Sequence, residues 1–444
     1  MVGWHLNDSA VAGTPTFQSL ERYKHIFLRP DVIAKLLTTR SVADALKLAY
    51  GDNPRRRSFR EVEPEPVNLA VKQAVVPKGG LAVALEVNPI GTNPDLLTRR
   101  VELWLNDYRF RTWETKGKER FQTKVVIPES AFRGGDNQIT LLAINPLRGR
   151  AEATRLIDSS AKLNAPGLLG MMGGIDDYSA HRKALGGARG GFDDLTKARA
   201  DVASLREGLF QYRGKGKYFP TGDVAILLND DATREGLTAA LAKLKTTPVK
   251  PDDLLVVFLA GHGDLIDAKG RPLPPPAVGI ASRGLPAETG QFVFCGPNYS
   301  TSRPRQTALA AEELFDALAE VNCRKLVLLD ACHAGAAIGT NLLRQLIPNG
   351  QGPVVIAACG QSQISFEDES LGHGAFTYAV LEALGSKFRV ADRNSDGALS
   401  ARELYDYLAD RVPALVEDLH PGKAQNPICF PQSAGLPKFA LVKR

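Results

Sequence analysis

The stretch Lys325-Leu-Val-Leu-Leu-Asp-Ala-Cys-His-Ala-Gly335 decides how the C-terminal half of the chain is read. From Lys325 to Asp330 it is a short apolar run of the kind found in strands buried on both faces of a parallel sheet. It stops at a turn of small residues that carries Cys332. In open α/β sheets, ligands and chemistry gather outside the carboxyl ends of the strands, so this cysteine is displayed at the working edge. Upstream stands a second run, Leu254-Leu-Val-Val-Phe-Leu-Ala260, followed by Gly261-His262-Gly263. A thiol and an imidazole delivered by two strand ends of one sheet are the minimum equipment of a cysteine hydrolase.

Outward from these two runs the pattern alternates strand and helix. Leu168–Ile175 and Val224–Leu228 read as strands, and Asp194–Leu209 and Thr233–Leu244 have helical spacing, the latter capped by Asp231 or Thr233. A helix near Ala310–Val321, a buried run at Pro353–Ala358 and a helix at Gly374–Leu384 continue the alternation. The expected fold is α/β, a mainly parallel sheet flanked by helices on both faces, over residues 165–444. Between Asp264 and Thr307 the text is rich in Pro and Gly, apart from a short strand at Gln291–Cys295. A long loop directly after the histidine is a candidate for substrate contact.

Residues 67–160 change to period two. Leu81–Val87, Val101–Leu105, Thr123–Ile127 and Gln138–Ile144 alternate, with glycines between them, which predicts a small all-β sandwich with a packing or docking role. Residues 1–66 carry two helical patches, Pro30–Leu37 and Ser41–Tyr50, and a basic linker around Pro54-Arg-Arg-Arg57. The abrupt opening suggests the end of a larger module, such as an upstream sensor.

Hydrophobic content of 44% and charged content of 23% are ordinary for a globular protein. No run of eighteen apolar residues and no apolar leader is visible, so neither membrane insertion nor a signal peptide is expected. The net charge of +6 is spread along the chain, which argues against nucleic-acid binding. Five cysteines (Cys295, Cys323, Cys332, Cys359 and Cys429) include no Cys-x-x-Cys pair, so zinc and a disulfide framework are poorly supported. Reduced thiols fit a cytoplasmic setting.

The pair Ala260-Gly-His262-Gly and Leu328-Leu-Asp330-Ala-Cys332-His-Ala-Gly335 resembles the histidine and cysteine motifs of caspase-like peptidases. It is nearer to the metacaspase and bacterial branch than to animal caspases, whose cysteine lies in a Gln-Ala-Cys motif. The resemblance implies a protein or peptide substrate, Cys332 as nucleophile and His262 as base, with no cofactor required for the chemistry. It further implies an oxyanion hole from the Gly263 and Cys332 amides. His333 is a rival base by adjacency, but successive residues cannot easily turn toward each other. In metacaspases the aspartate at the Asp330 position selects Arg or Lys at P1. A second pocket carboxylate of that family aligns with Asp201 through Leu195-Thr-Lys-Ala-Arg-Ala-Asp201. One departure is Ala260, where metacaspases carry serine. Acidic P1 preference would instead need arginines that the sequence does not place. The other alternative is a catalytically silent protein that keeps the fold as a scaffold.

One further motif stands apart. Asp392-Arg-Asn394-Ser-Asp396-Gly-Ala398-Leu-Ser400-Ala-Arg-Glu403 satisfies the EF-hand loop template, with oxygen ligands at Asp392, Asn394, Asp396, the Ala398 carbonyl and Glu403. The competing reading is an Asx-rich turn that caps the next helix. The N-terminal parts and the long loop also offer means of restraining an open Cys–His site, and Arg344 is a candidate for self-cleavage.

Overall fold

A computed structural model describes residues 3–6, 16–19, 30–50, 67–88, 97–115, 120–146, 150–160, 165–185, 192–267, 269–273, 290–339, 348, 352–431, 436–437 and 439–444. The basic run Pro54–Arg57, residues 274–289 of the loop after the histidine, and Arg344 lie outside these residues.

The C-terminal half is built on a six-stranded sheet. Its order from edge to edge is Gly222–Leu228, Leu168–Gly174, Leu254–Gly261, Arg324–Ala331, Val354–Ala357 and Ile428–Phe430. The first five strands run parallel and the last is antiparallel. The Leu254–Gly261 strand is apolar throughout, and its neighbour is apolar from Leu326 to Leu329, because both faces of each are covered. In the histidine strand Leu255, Val257 and Leu259 enter one core, and Leu254, Val256, Phe258 and Ala260 enter the other. The cysteine strand divides the same way, with Val327, Leu329 and Ala331 on the first face and Leu326 and Leu328 on the second. Helices Arg234–Thr246 and Ala311–Leu318 cover the first face, and Ala198–Phe210, Ala375–Leu384 and Ala401–Leu419 the second. Thr233 caps its helix by accepting the Gly236 N–H, which resolves the choice of cap.

Residues 67–159 form two antiparallel sheets over one apolar core. Three strands (Val67–Val71, Leu81–Val87, Phe121–Ile127) face four (Arg100–Leu105, Tyr108–Glu114, Gly135–Ile144, Arg150–Ser159). Alternation places Val101, Leu103 and Leu105 inside this sandwich. The opposite face of the same strand is not solvated. Trp104, with Leu142, belongs to the apolar cluster on the first face of the six-stranded sheet. Glu102 is buried beside it and accepts the Trp104 indole N–H at 2.8 Å.

A polar network fixes this docking. Lys325, near the start of the Arg324–Ala331 strand, is only 1% exposed. Its ammonium donates to the carbonyls of Asp107 (3.1 Å) and Cys323 (3.0 Å) and pairs with the Asp107 carboxylate at 3.1 Å. Arg133 pairs with the same carboxylate and donates to the carbonyls of Cys323 (2.9 Å) and Pro251 (3.1 Å). Burial opposes ionisation of Asp107, yet the two cations hold its carboxyl below the usual carboxylate range. At the surface Arg109 bridges to Asp316 and Glu320, while its N–H donates to the Ala319 carbonyl at 2.7 Å.

Removing one partner of a buried ion pair leaves the other charge uncompensated, at roughly 3–5 kcal/mol. Asp107→Ala is therefore expected to lower the unfolding free energy by about that amount in urea denaturation. Lys325→Met with Asp107→Leu should be far milder. Equal stability of Asp107→Ala and wild type would show that the network does not hold the two halves together.

Candidate active site

The site begins with strand register. Leu254 lies opposite Arg324, and the pairing continues in step to Ala260 opposite Asp330 and Gly261 opposite Ala331. The next residues in line are His262 and Cys332. A shared pocket is lined by both, together with Asp201, Asp330, Ser365, Glu367 and Gly374. Gly263 is required by close approach: a β-carbon there would collide with the Cys332 carbonyl and lie 2.5 Å from the Phe292 ring. The glycine after the histidine thus lets the two turns meet, beyond any backbone freedom it supplies.

His262 is held on several sides. Its N–H donates to the Tyr178 hydroxyl at 2.8 Å, and its ring stacks on Phe192 with centroids 4.5 Å apart and planes 20° apart. Nε2 lies 2.8 Å from the Asp193 carbonyl oxygen. A carbonyl only accepts, so Nε2 carries the hydrogen and Nδ1 keeps the lone pair. Burial, the largest influence, holds the imidazole below its usual pKa, against the opposing pull of the Asp193 carbonyl. Burial thus favours the neutral ring, in which Nδ1 is the nitrogen able to accept a proton.

Cys332 is half-buried, and burial raises its thiol above the ordinary value. His333 sits at φ 60° with Nδ1 2.8 Å from the Gln361 carbonyl, while its N–H donates to Gln363. Those bonds hold the residue against the Gln361–Gln363 turn, and His333 is not among the residues that line the pocket of His262 and Cys332. The other four cysteines are buried.

Parity sends Asp330 to the face that carries the Ala198–Phe210 and Ala375–Leu384 helices. There it is 7% exposed and accepts from Ser365 Oγ (2.6 Å) and Thr377 Oγ1 (2.7 Å). Burial lifts its pKa despite both hydroxyls. Asp201 arrives from the first turn of its helix and is 2% exposed. It accepts the Gly374 N–H at 3.2 Å and lies 2.7 Å from His373 Nδ1. Burial pushes its carboxyl up to about 7; the His373 contact opposes the rise, and Asp330 adds to it. The two carboxylates flank Gly374, where an added β-carbon would be 3.1 Å from Asp330 Oδ2 and 3.2 Å from Asp201 Oδ2. Glu367 reaches the pocket while accepting the N–H groups of Thr196 and Lys197.

The 392–403 loop has oxygen donors suited to a hard cation. In this structure those oxygens serve the loop itself. Asp392 accepts from the Asp396 and Gly397 amides, Asn394 from Asp396, and Asp396 from Ala398. Glu403 closes a capping box with Ser400 at the start of the Ala401–Leu419 helix. Among the described residues no group of three or more His, Cys, Asp or Glu side chains is gathered to hold a metal ion.

Several residues here are invisible to motif reading. Tyr178 follows the carboxyl end of the Leu168–Gly174 strand and could be suspected from that edge alone. Asp193 acts through its carbonyl, which leaves no side-chain signature. His373, Ser365 and Thr377 come from segments brought in only by folding.

The sequence matches the caspase domain family model over residues 175–434. No curated protein matches it. Among solved structures, caspase-1 from Spodoptera frugiperda is similar at 14% identity and a TM-score of 0.36, over 60% of this chain and 86% of that one. A cycloisomaltooligosaccharide glucanotransferase from Paenibacillus sp. follows at 11% identity and a TM-score of 0.16, over 62% of this chain and 46% of that one. Among the described residues no helix is long and apolar enough to cross a membrane.

A raised thiol beside a lowered imidazole implies a neutral resting pair and no thiolate–imidazolium ion pair. Alkylation of Cys332 by iodoacetamide should therefore accelerate as pH rises past the ordinary thiol range, with no plateau below pH 7. A plateau already reached at acid pH would overturn the neutral pair.

Proposed function

This chain belongs to the caspase domain family, and on that premise we propose that it is a cysteine endopeptidase cleaving after Arg or Lys through Cys332 and His262. The observation that carries the reading is the single pocket lined by a histidine, a cysteine and two buried aspartates. His262 Nδ1 takes the proton of Cys332 Sγ as sulfur attacks the scissile carbonyl. The Gly263 and Cys332 amides receive the developing oxyanion. The C–N bond then breaks, the amine leaves with the proton from His262, and a water deprotonated by His262 hydrolyses the thioester. Asp201 and Asp330 receive the P1 cation through charge-assisted hydrogen bonds, which a neutral P1 group cannot form. A cation entering this pocket joins or displaces His373 at Asp201. No cofactor takes part; a calcium ion at the 392–403 loop would order the turn that caps the following helix.

Cys332→Ala and His262→Ala are each expected to lower peptide hydrolysis by about a thousandfold or more while the far-ultraviolet circular dichroism stays unchanged. Retention of near wild-type turnover by Cys332→Ala would remove the dyad. A peptide library profiled at P1 tests the specificity, and a preference for aspartate there would exclude the basic reading.

The titration of Asp201 gives an independent check. A carboxyl titrating at about 7 attracts a cation only above that pH, so KM for an Arg-P1 peptide should fall as pH rises through about 7. Asp201→Asn should raise KM and abolish this dependence. An identical pH profile in the variant would take Asp201 out of the P1 pocket.

A further inference from the structure

We propose that Arg182 is a positioning residue for His262, acting by clamping the backbone on both sides of the Asp193 carbonyl. The inference rests on the reading of His262 as the base. That base is oriented by a main-chain carbonyl in a stretch, residues 192–194, that belongs to no helix or strand. Such a carbonyl stays in place only if its neighbours are fixed. Arg182 Nη1 donates to the carbonyl of Phe192 at 3.0 Å, the residue before. The same guanidinium grips the carboxylate of Asp194, the residue after, through Nη1 at 2.8 Å and Nη2 at 2.6 Å. Asp194 also accepts the Tyr178 N–H at 2.7 Å, so the fork, the stretch and the hydroxyl-bearing neighbour of His262 form one assembly.

The helix that supplies Arg182, Ser179–Ala184, is anchored in turn. His181 is 1% exposed, with Nδ1 2.7 Å from the Tyr299 carbonyl, and the Phe192 ring stacks on Tyr299 as well as on His262. Planar, bidentate recognition of a carboxylate is the geometry that arginine offers and lysine does not. The Arg182–Asp194 pair is itself partly exposed, and such pairs add little to stability. Its effect is expected in turnover, where a misplacement of about 1 Å can lower the rate about a hundredfold.

The test uses the full chain and an Arg-P1 peptide. Arg182→Ala and Asp194→Asn should each lower kcat by about 10- to 100-fold with KM within about twofold, at a melting temperature within about 2 °C of wild type. Arg182→Lys, which keeps the charge and loses the fork, should fall between. The Asp193 carbonyl favours protonated His262. Loosening it should therefore lower the His262 pKa in Arg182→Ala, read by NMR titration in the full chain and needing no substrate, and shift the acid limb of kcat at saturating peptide to lower pH; the Asp194 carboxylate raises that pKa through its own charge, so Asp194→Asn is read by kcat alone. If Arg182→Ala is unstable, Asp194→Asn carries the test. Wild-type kcat in both variants and an unmoved His262 titration in Arg182→Ala would overturn the proposal. Should Cys332→Ala and His262→Ala also retain activity, the peptidase reading has failed; should they alone be inactive, only the role of Arg182 has failed.

Discussion

The register between two parallel strands is the constraint on which the site depends. Leu254–Gly261 and Arg324–Ala331 pair in step along their whole length, and the residues just past their ends are His262 and Cys332. A slip by one residue would send every side chain of a strand to the opposite face. Here that would exchange the contents of two separate cores, and it would turn Asp330 away from Ser365 and Thr377. Apolar packing on both faces therefore sets the position of the thiol against the imidazole. Gly263 allows the two turns to come together without a side chain between them, and Gly261 leaves room for Tyr178 and Phe294.

The sandwich reinforces the same register from the other end of the cysteine strand. Lys325 begins the parity that ends at Ala331 on the first face, and its ammonium is neutralised by Asp107 from the sandwich. A buried lysine without that partner would carry a large desolvation penalty. The β domain thus completes the core of its neighbour, with Trp104 as the apolar part of the contact and Asp107 as the polar part. Expression of residues 165–444 by themselves would strip both away, so a difference in activity between that piece and the whole chain would not by itself reveal restraint.

Within the pocket, burial dominates the electrostatics. It raises the Cys332 thiol, lowers the His262 imidazole and raises both aspartates. Each shift disfavours charge in the pocket. Under the proposed basic specificity, a P1 cation beside Asp201 and Asp330 would restore a reason for them to ionise and would couple occupation of the pocket to the charge state of its floor.

Much of this was legible in the chain itself. Runs such as Leu254–Ala260 and Lys325–Asp330 determined the parallel α/β sheet, because only a strand buried on both faces can be apolar without interruption. The edge rule then placed His262 and Cys332 on the same side of that sheet, and period-two segments marked the sandwich core through Val101, Leu103 and Leu105. Local pattern could not say that Glu102 and Trp104, on the other face of that strand, are buried against a second domain. Nor could it show that Lys325 needs Asp107, or that His373 reaches Asp201 across 172 positions. The orientation of His262 was equally hidden, since a main-chain carbonyl at Asp193 looks the same in every sequence. Periodicity reports the faces of one element. Which element covers each face, and which carbonyl meets which ring, is decided by packing at long range in the chain.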